Sequence, residues 1–407
     1  MKKTVPVAAL LGICISSAHA QSNVTLYGVV TADITYANDV QTAATPSHGD
    51  SVGGRQVAQL DSGSTGLSSS RWGLQGKEDL GDGWKAIFQL ENGFNVNNGS
   101  SLQGGAEFGR LAIVGLSNPY GTVTIGRQGN SAIDFTAPLA YAWLWGNIAI
   151  HPADYDNLNI RRTINAVKYV SPSFAGFNFG GMYSLGGVAG SVGENQVWSA
   201  GLGYSGGPIT VGASILNSRD PNSSLYGTNV NALATANNLG SFGSATSASF
   251  NGVIAGFASA GTTQIVTAAA LYAIGPARVG VTYSNTQFRN LGEEGVLNTL
   301  HYSGTATFNN YEVSLRYQLT PSSRLGAAYD LSRGGRVNDN SGSKYQQFNL
   351  GVDYFLSKST DVYVLGAYQH ANGTDSLGRP AVAEIGYLSP SPTNKQLVVS
   401  AGIKHLF

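Results

Sequence analysis

The chain has 407 residues, 23 basic and 23 acidic, so charged side chains make up 11% of it where roughly 25% is usual. An apolar fraction of 42% with 10% aromatics excludes a disordered chain, and a pI of 7.0 without a basic tract excludes nucleic acid as the expected partner. What is left is a folded chain with too little charge for an ordinary soluble surface and no apolar run long enough for a helical membrane protein.

In chain order, Lys2 and Lys3 form a basic start, Val5 to Ser17 is mostly apolar and small, and Ala18-His19-Ala20 fits the cleavage site of a secretory signal peptide over residues 1–20. Ile13 stands before Cys14 where lipidation expects a small residue, so a lipoprotein is not expected. Cleavage removes two lysines and the single cysteine, leaving 21 basic and 23 acidic groups in residues 21–407. Without a cysteine, disulfides and zinc–thiolate sites are excluded.

From there, apolar alternation with period two runs to the end and predicts an all-β fold. Val24, Leu26 and Val30 oppose Thr25, Tyr27 and Thr31; much later, Val313, Leu315 and Tyr317 oppose Glu312, Ser314 and Arg316. Sixteen such segments fall at about 24–36, 69–79, 83–94, 107–116, 121–128, 161–170, 174–185 and 195–205, then 208–218, 263–273, 276–286, 309–319, 323–331, 345–357, 359–370 and 395–407. Tight turns such as Asp79-Leu80-Gly81-Asp82-Gly83 and Thr320-Pro321-Ser322 alternate with long polar links at 37–68, 129–160, 219–262, 287–308 and 371–394. An even number of strands with alternating short and long connections predicts a transmembrane antiparallel β-barrel, a single domain over 21–407. A soluble β-sandwich would also alternate, but would carry more charge and would not explain the rhythm of the links. Sixteen strands leave a water-filled lumen. The last segment alternates down to a terminal Phe407, the expected outer-membrane assembly signal.

Several stretches resemble the general porins of the Gram-negative outer membrane, above all the trimeric β-proteobacterial group. They are Val24-Thr25-Leu26-Tyr27-Gly28, the run Ser70 to Gly81, Tyr120 to Gln128, Arg162 to Tyr169 with Ser171-Pro172, and Gly402 to Phe407. The resemblance implies a homotrimer in the cell outer membrane, against its lipid and lipopolysaccharide, that passes ions and small hydrophilic solutes passively. It implies no enzyme activity and no cofactor or metal. It also implies a third loop, about 129–160, folded into the lumen, with basic wall residues opposing acidic groups on that loop.

The residues that could filter charge follow from strand parity. Arg71, Lys77 and Lys85 fall on the polar face of their strands; so do Arg110, with Leu111 and Ile113 outward, and Arg162 with Lys168, with Val167 and Tyr169 outward. The family pattern carries over at Arg71, Arg110 and Arg162. Arg127 has the outward parity of Val123 and Ile125 and reaches the lumen only through a kink or bulge, which the family match implies. The plainer alternative pairs some arginines with Glu78, Glu91 or Glu107 along the wall. The third loop offers Asp134, Asp154 and Asp156 and no Lys or Arg. It is also aromatic, with Phe135, Tyr141, Trp143 and Trp145, which predicts packing onto the wall or, as the alternative, a rail for sugars and aromatic acids. A mild anion preference is expected. A barrel enzyme or an adhesin is the reading from another class. Gly201 to Gly206 fits a dinucleotide-loop spacing but leads into a hairpin, Asp154 to Asn159 lacks the glycine and glutamate of a calcium loop, and the histidines form no pattern.

Overall fold

A computed structural model describes residues 23–41, 53–61, 66–152, 162–224, 237–239, 252–386 and 388–407. The expected signal peptide, Cys14, Asp154 and Asp156 lie outside the described residues. Nine strands, β1 (Asn23–Gln41), β2 (Gly53–Asp61), β3 (Arg71–Gly81), β4 (Trp84–Gly93), β5 (Leu111–Asn118), β6 (Gly121–Gln128), β7 (Thr163–Val170), β8 (Phe177–Ser184) and β9 (Val197–Gly206), take one side of a ring. Eight more complete it: β10 (Ile209–Arg219), β11 (Ala260–Ile274), β12 (Ala277–Leu291), β13 (Gly304–Thr320), β14 (Ser323–Gly334), β15 (Ser343–Phe355), β16 (Thr360–Gly373) and β17 (Lys395–Leu406). Neighbours pair antiparallel, and β1 closes the ring against β17 from Val29 opposite Leu406 to Ala37 opposite Val398. Closure leaves no edge whose amides would go unsatisfied in hydrocarbon, at several kcal/mol each. The C-terminal residue finishes the seam: Gly28 N donates to Phe407 O (2.9 Å) and Phe407 N to Gly28 O (3.1 Å).

The 17 strands make sixteen staves because β2 and β3 share one edge of β1, β3 beside Asn23–Val29 and β2 beside Ala32–Gln41. The sequence predicts a long link over 37–68, yet 53–61 pairs as a strand; Gly53-Gly54-Arg55-Gln56 carries little apolar alternation to mark it. Strands on the far side also run longer than expected, 15 residues for β11 and β12 and 17 for β13. Hydrophobic alternation marks only the part that meets lipid; above it, paired backbone continues with polar outward side chains such as Asn285, Gln287 and Asn309.

Cross-strand partners share a face, so the inner wall can be traced by register. Glu312 faces Asp330, then Gln347, Gln369 and Gln396, all buried. Val313, Phe348, Leu350 and Val352 on the other face are exposed. The buried face is thus polar and the exposed face apolar, the reverse of a water-soluble protein.

The segment after β6 enters this polar interior as α1 (Ser131–Phe135), a 3-10 turn (Ala137–Leu139), α2 (Ala142–Trp145) and a second 3-10 turn (Asn147–Ala149). It touches the inner face of β8 to β10 through Phe135, that of β13 to β15 through Tyr141 and Trp145, and Gly66 ahead of β3 through Gly146. Only a path through the lumen meets all three. At the long-loop end, residues 252–259 also turn inward, stacking Phe257 on Phe288 at 5.4 Å and beside Tyr302 at 5.7 Å. They interlock with 374–386, Gly256 N donating to Ser376 Oγ (2.8 Å) and Gly252 N to Glu384 Oε2 (3.2 Å).

Candidate pore constriction

Four arginines from four parts of the wall meet around a short stretch ahead of β5. Arg110 Nε lies 2.6 Å from Glu91 Oε1, and Arg71 Nε lies 3.7 Å from Glu91 Oε2. Arg127 Nε donates to Gly109 O (2.7 Å) and Arg162 Nε to Arg110 O (3.1 Å). Arg71 Nη1 also donates to Ser68 Oγ and Ser69 O, which holds the guanidinium along the wall. Glu91 is fixed in turn by the Tyr27 hydroxyl at 2.9 Å, itself an acceptor for Gln89 Nε2 at 2.7 Å. Tyr27, Gly73 and Glu91 are register partners, so the glycine leaves the room through which the tyrosine reaches across to the carboxylate.

Opposite this patch the loop is seated. Phe135 lies against Gly201, where an added Cβ would come within 2.4 Å of its ring, and Trp145 against Gly326 and Gly351, where the same atom would come within 2.3 and 2.2 Å. Tyr141 stacks on Trp145 with centroids 5.7 Å apart, and Arg324 lies over the indole at 5.3 Å. Arg316 Nη2 donates to the carbonyls of Leu139 and Ala140 (2.7 Å each). Tyr141 N donates to Glu312 (3.0 Å), and His151 Nε2 lies 2.9 Å from Glu312 and 3.1 Å from Asp330. These three ligand-type groups lie within 4.8 Å of one another, close enough to hold a metal ion. Their spacing is already that of direct hydrogen bonding, so the buried imidazole serves as a pin between loop and wall. Burial, with Asp330 and Glu312 close by, pushes the Tyr141 phenol up.

Several sequence expectations change here. Arg110 meets the cluster, but Leu111 and Ile113 stand on the inner register, opposite Glu91 and Gln89. Arg110 precedes the first ladder pair of β5, so strand parity does not govern it. The bulge expected at Arg127 is present, the β6–β7 register shifting between Gly126 and Gln128. Lys77 and Lys85 share the inner face, but Lys77 is six residues along β3 from Arg71, about 20 Å, and both sit exposed near the turn end. Lys168 does not oppose the loop acid across a gap; its Nζ binds Asp134 directly at 3.0 Å. Burial pushes the Asp134 carboxyl above the usual range, against the pull of Lys168 and, more weakly, Arg162. Of the four loop aromatics singled out above, Phe135, Tyr141 and Trp145 are packed away and Trp143 is 53% exposed. Sequence alone gives no role to Arg316 or Arg324 and leaves His151 among histidines without a metal or triad pattern. The inward parity of the two arginines was visible, while the pairing of His151 with residues more than 160 positions away was not.

A family model described as Gram-negative porin matches residues 7–374. An outer membrane porin protein of Bordetella pertussis is 33% identical over 385 residues, covering 90% of this chain and 94% of its own length. Among solved structures, an anion-selective porin from Comamonas acidovorans superposes with a TM-score of 0.68 at 22% identity, covering 95% of this chain and all of its own. OmpT of Vibrio cholerae, in a structure described as the trimer form, gives 0.61 at 16% identity, covering 95% and 99%. At these identities the two structures bear on the fold alone.

Proposed function

We propose that this chain, which belongs to the Gram-negative porin family and forms a water-filled diffusion channel of the outer membrane, uses Arg71, Arg110, Arg127 and Arg162 as the charge filter of its narrowest level. The observation that carries the reading is their convergence: each guanidinium contacts Glu91 or the backbone of Gly109–Arg110. Positive charge on one wall, with an opposite wall occupied by a packed loop, attracts small anions and turns polar solutes in the passing field. Asp134, neutralised by Lys168, adds shape more than charge, and Asp154 and Asp156 are the loop's remaining acidic groups. Lys77 and Lys85 act as a vestibule at the turn end. The protein transports rather than transforms its solutes. Its export through a cleaved peptide over residues 1–20, its assembly through Phe407, its homotrimeric state and its contact with lipopolysaccharide belong to the same reading, each implied by the family resemblance. Among the described loop residues an aromatic rail has one exposed ring, Trp143, to stand on, which favours the filter over the rail.

Planar-bilayer recording tests the filter. The expected result is conductance in units of three with a reversal potential in a KCl gradient on the anion side. Strong cation selectivity would overturn it.

A further inference from the structure

The outward face of β9 to β17 changes character between its two ends. At the turn end and in the middle it shows Tyr204, Tyr272, Val313, Tyr317, Phe348 and Tyr354, as a lipid-facing surface must. Every Lys and Arg on an outward position of these strands lies instead at the long-loop end: Arg219, Arg289, Arg333, Lys344 and Lys395. No Asp or Glu stands on any outward position there.

Two stations are formed. One row above the Tyr283–Tyr311 pair (5.2 Å), Arg333 lies directly opposite Lys344, and no described carboxylate pairs with either. Like charges placed directly opposite destabilise a ladder unless something neutralises them. Farther out, a cavity of about 510 Å³ opens on the outer surface, lined by Gln196, Asn217, Arg219, Thr262, Arg289 and Glu293. A chain of hydrogen bonds leads to it up the outer wall, from Arg289 Nε to Gln287 (2.7 Å), Gln287 to Asn285 (2.8 Å) and Asn285 to Asn309 (2.9 Å). Asp220, 3.8 Å from Arg219, is also held by Asn195 N.

We infer that these stations hold the head group of an anionic, phosphorylated glycolipid of the outer leaflet, which gives the lipopolysaccharide contact of the previous reading a site and rests on that reading for the orientation of the barrel. The Arg333–Lys344 pair binds a phosphate bidentately at headgroup depth. The outer cavity, with side-chain amides and the Glu293 carboxylate beside its two guanidiniums, fits sugar hydroxyls as well as phosphate and suits a bare anion poorly. Thr305, the register partner of Arg289, is four residues beyond Asn309, the partner of Arg333, about 14 Å along the strand, and β12 and β14 stand two strand spacings, about 10 Å, apart. A simple phosphodiester head does not span both stations; a saccharide carrying phosphates does.

The test uses full-length barrels refolded free of lipopolysaccharide, in detergent, read by native mass spectrometry after addition of core-bearing lipopolysaccharide, phosphatidylglycerol or inorganic phosphate. The expected result is retention of lipopolysaccharide in preference to phosphatidylglycerol, no displacement by millimolar phosphate, and about tenfold weaker retention in R333Q/K344Q and in R219Q/R289Q. Equal retention by wild type and both variants would overturn the proposal. So would displacement by phosphate, which would make the site one for a free anion, or equal binding of phosphatidylglycerol. Should a double variant fail to fold, the single variants R333Q and R289Q carry the same comparison. The same preparations are recorded in bilayers free of lipopolysaccharide. Unchanged conductance beside unchanged retention strikes this inference alone, while absence of a channel in wild type strikes the porin filter instead.

Discussion

Along β3 to β7 the inner wall carries long basic side chains that end on one carboxylate and on backbone carbonyls; along β13 to β15 the equivalent positions carry Gly326 and Gly351, with Glu312 and Asp330 beside them. Both faces come from the same alternation, and both are polar. The difference lies in what each leaves open. In the proposed filter the arginine sector keeps its charged ends at the lumen, whereas the glycine sector gives its surface to a loop, receiving the Trp145 indole across two glycines and the loop's backbone on buried carboxylates and Arg316. A narrow, one-sidedly charged passage needs both: a wall that holds charge, and opposite it a wall shaped to keep the loop from drifting across.

The largest expected effect follows from disturbing the seat. Gly351→Val places a branched side chain where even a Cβ would lie 2.2 Å from the Trp145 ring. The ring must leave, and overpacking of this kind costs about 1–3 kcal/mol. The expected outcome is a lower unfolding midpoint in detergent together with a broadened distribution of single-channel conductance, since Tyr141 and the Arg324 contact depend on the same ring. A variant with wild-type stability and a single sharp conductance would show that the loop does not rest on these strands.

Two variants of the opposite wall sharpen the comparison because their signs differ. Removing two positive charges in Arg71→Gln/Arg110→Gln moves the reversal potential toward cations by several-fold in permeability ratio, about 0.6 kcal/mol per charge acting on an ion about 7 Å away through water. Glu91→Gln removes the negative group between the same guanidiniums and moves it toward anions, by a smaller amount. The second variant also loses stability, because Tyr27 and two arginines were arranged around that carboxylate. Shifts in the same direction would mean that the cluster does not face the conducting path.

The sequence made the ring legible and the loop's destination only partly so. Period-two alternation is a local property, and it located all sixteen staves because hydrocarbon requires apolar side chains wherever a strand crosses it. It missed β2 and the outer ends of β11 to β13, where the strands have left the lipid and the outward positions turn polar. The arginine cluster was readable from parity at Arg71, and needed a bulge at Arg127. At Arg110 the parity argument fails, since Leu111 and Ile113 face inward, although the side chain reaches Glu91. The seat for the loop was illegible for a different cause. Gly326 and Gly351 look like any other strand glycines, and only the fold brings Trp145 to them across some 180 to 200 residues. His151 is the same case, a lone loop histidine whose meaning is two carboxylates on β13 and β14.

The smallest expected effect separates the two regions by pH. Glu384, in the link between β16 and β17, lies outside the membrane-crossing part, and burial raises its carboxyl from 4.5 to about 8. Gly252 N donates to it, Asp375 disfavours its charge, and Arg379 on the same link favours it. With loops 252–259 and 374–386 docked, the group holds a proton that the undocked loops release near 4.5. Docking is therefore strongest below 4.5, weakens steadily as pH rises through the interval to about 8, and reaches its full penalty above that value. Brief closures or conductance noise from these loops should rise between pH 5 and 9, and Glu384→Gln should abolish the pH dependence while keeping the low-pH behaviour. Glu384 stands in the link between β16 and β17, away from the arginine wall, so the reversal potential should stay flat over the same range. A selectivity that drifted with pH, beside noise that did not, would assign the titrating group to the constriction and leave the glycine side of the barrel without its rim.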